Sequence, residues 1–117
     1  MSRRPTIAEL NDRFRSRLGV PVFGTDILGM FVFTPGIEAL APEVQIDIWM
    51  LVRNFDSFTE DNDPYGEHDF GSIDHPIVGK IFWKIDYYDP SFTKGSEDAT
   101  DLAQTRRVLT VMLAEEY

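Results

Sequence analysis

Lys80-Ile-Phe-Trp-Lys-Ile-Asp-Tyr-Tyr88 is the stretch whose reading decides the fold. Ile81, Trp83, Ile85 and Tyr87 fall on every second position and alternate with Lys80, Phe82, Lys84, Asp86 and Tyr88. A strand turns successive side chains to opposite faces, so this spacing gathers the first set on one side, where a helix would scatter it. The aromatic and β-branched content also suits a pleated, half-buried surface. On its N-terminal side, Pro76 to Gly79 has turn composition and His68 to Asp74 can supply the opposing arm, which predicts a hairpin. On its C-terminal side, Asp89 to Thr100 is a polar loop. Asp101 and Gln104 then have the spacing of a capping box, predicting a last helix that carries Leu102, Val108, Leu109, Met112 and Leu113.

The first half of the chain adds three elements. Thr6 can cap a helix in which Ile7, Leu10, Phe14 and Leu18 recur at spacings of three and four, leaving Arg13, Arg15 and Arg17 toward solvent. Met30 to Thr34 reads as a buried strand, closed by a turn at Pro35-Gly36. Pro42 opens a second helix whose stripe is Val44, Ile48, Leu51, Val52 and Phe55. Ile46, Trp49 and Met50 fall outside that stripe, so this helix is either sandwiched within the domain or covered by a second subunit in a homodimer. The expected architecture is one α+β domain over residues 1–117, a small, mainly antiparallel sheet packed by three helices in the order αβαββα.

Composition narrows the function classes. The 117 residues, 43% hydrophobic and 13% aromatic, can bury a core without staples, and the lack of cysteine removes disulfides and thiolate chemistry. No apolar run approaches the roughly 20 residues that span a bilayer, and a cytoplasmic protein is expected. All of the net charge of −9 comes from residues 56 to 101, where twelve carboxylates face Lys80, Lys84 and Lys94; the flanking segments each balance. Nucleic-acid binding through phosphate neutralisation needs clustered Lys and Arg, so no direct nucleic-acid contact is expected and a basic protein is the natural partner.

Several motifs can be weighed against that charge. Asp61, Asp63, Gly66 and Asp69 follow part of a calcium-loop spacing, but Tyr65 and Ser72 stand where ligands are required. Asp61, Asp63, His68, Asp69 and Asp86 could instead converge on a divalent ion such as magnesium or calcium in a metal-dependent hydrolase, with Lys84 beside a developing anion. The bland alternative is a solvated turn, with Asp and Asn accepting their own backbone amides. Nucleophile elbows and phosphate-cradling glycine fingerprints are absent from the sequence.

The strings FTEDNDPYGEHDFG (Phe58 to Gly71), KIFWKIDYYDP (Lys80 to Pro90), GSED (Gly95 to Asp98) and RRVLTVMLAEEY (Arg106 to Tyr117) resemble a family of short bacterial proteins known only as a domain of unknown function. ELNDRFR (Glu9 to Arg15) and the Pro-Glu-Val-Gln that opens the second helix are similar to it as well. The resemblance implies a single-domain bacterial protein, often encoded near mobile elements, with no cofactor or catalytic residue to carry over. The expected function is an acidic interaction module in which Asp61, Asp63, Glu67, Asp69, Asp86 and Asp89 dock a basic partner without any cofactor. Inhibition of a nucleic-acid-binding protein would fit that module, and the metal-dependent hydrolase is the alternative.

Overall fold

A computed structural model describes residues 4–21 and 24–117. The order is α1 (Ile7–Arg15), β1 (Gly29–Phe33), α2 (Pro35–Glu38), α3 (Pro42–Arg53), β2 (Phe70–His75), β3 (Gly79–Tyr88), β4 (Arg106–Leu113) and a closing 3-10 turn, Ala114–Glu116. The strands form one sheet in the order β1-β4-β3-β2. β1 runs parallel to β4, whereas β4 with β3 and β3 with β2 are antiparallel. The α+β class and the mainly antiparallel sheet follow the expectation. Among the described residues no helix is long and apolar enough to cross a membrane.

Thr6 caps α1 as its sequence suggests: its hydroxyl accepts the Glu9 amide at 3.1 Å while the Glu9 carboxylate reaches back to the Thr6 amide. The helix ends at Arg15, and Leu18 reaches the core from the following turn. Pro35 and Gly36, read as a turn, begin the one-turn helix α2. In α3, Ile48 and Val52 are buried, Ile46 and Met50 stay at the surface with Leu51, and Trp49 leans on Phe33 at 5.7 Å.

The last element corrects the sequence reading. Residues 106–113 are a strand, not a helix. Asp101 does make its capping contacts, to the Ala103 amide and the Gln104 side chain, but they close a single turn. Beyond it Arg107, Leu109, Val111 and Leu113 alternate with Arg106, Val108, Thr110 and Met112, a period of two. This strand is central and pairs on both sides, so two ladders of backbone hydrogen bonds outweigh a weak local helix signal.

Helices α1 and α3 cover one face of the sheet. Ile81, Trp83, Ile85, Leu109 and Val111 meet Leu10, Phe14, Leu18, Ile48 and Val52 there, each side chain contributing about 1.5–3 kcal/mol by burial. Trp83 sits opposite Gly71, where any Cβ would collide with the indole. Its ring meets the edges of Phe55 and Phe58 and carries the Arg15 guanidinium 5.0 Å above it. The other sheet face bears Met30, Val32, Val108, Thr110, Phe82, Lys84 and Asp86, with Tyr117 folded edge-on against Phe70 and Phe82.

Candidate functional site

The acidic segment before β2 is built from self-satisfying turns. Asn62 accepts the Thr59 amide through Oδ1, and the Thr59 hydroxyl accepts the Asn62 amide in return. Asp63 is nearly buried at 6% side-chain exposure, and its oxygens accept the amides of Glu67 and His68. Those bonds hold a backbone in which Gly66 and His68 both take positive φ, +64° and +56°. For a histidine this is a strained conformation that its surroundings must fix. Nδ1 of His68 donates to both oxygens of Asp12 at 2.9 and 3.0 Å, and the ring lies flat on Phe58 with centroids 3.9 Å apart.

With His68 so placed, the chain enters β2 with Asp69 beside β3. The Ile85 amide donates to the Asp69 carbonyl at 2.8 Å, which brings the end of the acidic loop alongside Asp86 and Tyr87. The Tyr87 hydroxyl donates to Glu67 Oε1 at 3.1 Å and accepts from Asn11 Nδ2 at 2.8 Å. Burial raises the Asp69 carboxyl above its ordinary value, and the nearby carboxylates of Glu67, Asp63 and Asp86 push it further up. Among the described residues no Lys, Arg or His forms an ion pair with Asp69. Asp86 is partly neutralised by Lys84 at 2.9 Å.

Of the six residues expected to dock a partner, Asp63, Glu67 and Asp86 therefore lie within electrostatic reach of a fourth, Asp69. Asp61 is exposed in the preceding turn and is not among the carboxylates acting on Asp69. Asp89 is engaged in its own loop, where it accepts the Thr93 and Lys94 amides and the Ser91 and Thr93 hydroxyls; these bonds hold its carboxyl below the ordinary range. For the metal-ligand set Asp61, Asp63, His68, Asp69 and Asp86, the described residues contain no group of three or more His, Cys, Asp or Glu side chains placed to hold an ion.

Among the described residues no arginine forms an ion pair with this cluster. Arg15, expected toward solvent, is 4% exposed: it donates to the Val52 and Arg53 carbonyls, capping the end of α3, and pairs with Asp12. Arg107 is fully buried, donating to Asn11 Oδ1 at 2.7 Å and the Ala99 carbonyl at 2.8 Å. Asn11 and Asp12, which the sequence did not single out, support the site together with these two arginines. Asn11 and Arg15 flank Leu10 and Phe14 on the buried stripe of α1, and that spacing was the available signal. His75 is likewise a pin, donating from Nε2 to Asp47 at 2.6 Å while Nδ1 accepts the amides of Ile77 and Val78.

No curated protein and no solved structure matches the chain. A family model described as "Protein of unknown function (DUF3768)" matches residues 33–116, which takes in β2, β3, β4 and every carboxylate around Asp69. That match spans well over half of the chain, and the protein belongs to this family.

Proposed function

We propose that the protein is a docking module whose acidic cluster of Glu67, Asp69 and Asp86, backed by Asp63, receives Lys or Arg side chains of a basic protein. The observation that carries this reading is Asp69: a half-buried carboxylate set among three others, with no intramolecular cation among the described residues. A folded domain gains nothing from such an arrangement in isolation, because like charges at short range destabilise it. A cation supplied from outside relieves both the repulsion and the desolvation. The other carboxylates differ in kind, since Asp89 and Asp98 are engaged by loop amides and hydroxyls. A partner that uses the same basic groove for a phosphate backbone would be inhibited by the docked module. The metal-hydrolase reading of these acids has less support, because Asp63, His68 and Asp86 spend their side chains on amides, on Asp12 and on Lys84.

Calorimetry with an arginine-rich peptide tests the proposal. The triple variant E67Q/D69N/D86N should lose about tenfold or more in affinity, and a control with the same net charge, E60Q/D61N/E97Q, about twofold or less. Equal losses in the two variants would reduce the effect to bulk charge and overturn the assigned site.

A further inference from the structure

The geometry points to a second interface at the opposite edge of the sheet: we propose that β1 pairs with β1 of a second copy of this chain, antiparallel and centred on Phe31. Among the described residues β1 has a neighbouring strand on one side only. The Arg107 amide donates to the Leu28 carbonyl and the Thr34 amide to the Val111 carbonyl, which fixes the phase of the parallel ladder. In that phase Leu28, Met30, Val32 and Thr34 turn their backbone groups toward β4. Gly29, Phe31 and Phe33 therefore direct their N–H and C=O groups outward. Among the described residues no loop or side chain bonds those outward groups.

Edge strands are normally protected by lysine, proline, a bulge or a covering segment. Gly29-Met-Phe-Val-Phe33 has no charged residue and no proline, and Leu28, Met30 and Val32 around it are exposed at 44%, 44% and 37%. The other edge is treated differently. β2 carries the exposed Asp74, follows Asp69 directly, and is tied to α3 through His75 and Asp47.

The occupant is a second copy because the strand is complementary to itself. Antiparallel pairing about Phe31 sets Gly29 opposite Phe33 and Met30 opposite Val32 in both directions. It satisfies every outward amide with about six new backbone hydrogen bonds. The partner subunit's Phe33 then lies beside Gly29, which has no side chain to oppose it, next to the hollow lined by Phe14, Val20, Ile27 and Leu28. Met30 and Val32 form apolar cross-strand pairs on the open face. Charge permits the approach: residues 1–55 balance to zero, and β4 and β3 separate β1 from β2 and from the Asp69 that precedes it. The assembled sheet would have eight strands, with the Asp69 clusters at its two outer ends.

Sedimentation equilibrium over roughly 1–200 µM reads the result. The wild-type chain should pass from 13.4 kDa to about twice that mass, with V32K and M30E each monomeric across the range. In the double variant M30E/V32K the introduced carboxylate of each copy faces the introduced ammonium of the other, so dimerisation should return, weakened by added salt. A wild-type chain that stays monomeric at 200 µM overturns the proposal, and so does a dimer indifferent to V32K. E67Q/D69N/D86N should dimerise like wild type, so a failure here is separable from a failure of the acidic docking site.

Discussion

Asp12 on α1 grips Nδ1 of His68 with both of its oxygens, at 2.9 and 3.0 Å, while His68 itself sits at a φ of +56°. That contact ties the first helix to the loop that aims Asp69 at the sheet. Asp12 also pairs with Arg15, whose guanidinium caps the end of α3, so one half-buried carboxylate organises two helices and the acidic loop.

Replacing His68 separates backbone strain from side-chain contact. His68→Asn keeps a residue tolerant of positive φ and should cost about 1 kcal/mol from the lost ring stack and Asp12 contact. His68→Val adds a β-branched side chain where φ is positive and should cost about 2–4 kcal/mol. Urea unfolding of the two variants measures the difference; equal losses would mean that the backbone conformation is unimportant.

Asp69 should be a site where stability is sacrificed. Its folded carboxyl titrates above the ordinary value near 3.8, so between those two values the folded state holds a proton that the unfolded chain has released. Stability therefore falls as pH rises through that window, and the full penalty is present at neutral pH. Asp69→Asn removes the penalty: the variant should melt higher than wild type at about pH 7, with the gap closing below about pH 4, while binding the basic peptide more weakly. A variant less stable than wild type at neutral pH would refute the unfavourable placement of this carboxylate.

Gly71 should tolerate no side chain. A Cβ there would strike the indole of Trp83, which is fully buried and held between Arg15, Phe55 and Phe58. Gly71→Ala should cost about 2–4 kcal/mol and shift the tryptophan emission, because relief requires moving the largest ring in the core. Unchanged fluorescence and stability would show that this contact is loose.

The hairpin was legible because its alternation is local: Ile81 to Tyr87 states its own period. β4 was not, since Asp101 and Gln104 offer a helix start, and pairing with β3 on one side and with β1, from Gly29↔Arg107 to Phe33↔Val111, on the other makes the segment a strand in spite of it. The β1 partner lies far away in sequence. The acidic cluster was half legible. Charge density located the segments, but whether an aspartate caps its own turn, like Asp89, or faces other carboxylates, like Asp69, depends on the register of β2 against β3. Arg15 was misread for a related reason, since its main partners are the carbonyls at the end of α3, reached only after α1 and α3 pack.

Arg107 offers the sharpest test of how the core was assembled. Among the described residues it is fully buried without a carboxylate partner, its Nη1 has no acceptor, and burial pulls its guanidinium below the usual arginine range. What it does have is Asn11, which it orients so that the amide donates to both the Tyr87 hydroxyl and the Glu67 carbonyl. Its guanidinium also lies 5.2 Å from the centre of the Tyr87 ring. Removing one member of such a network strands the others, so Arg107→Met should cost about 2–4 kcal/mol by leaving Asn11 Oδ1 and the Ala99 carbonyl unpaired. Removing both polar partners leaves less unsatisfied, and R107M/N11L should be more stable than the sum of the single changes by about 1 kcal/mol or more. Thermal and urea unfolding of the complete cycle measures that coupling. Strict additivity would mean that the two residues act independently, and the support of Glu67 would then have to come from Tyr87 alone.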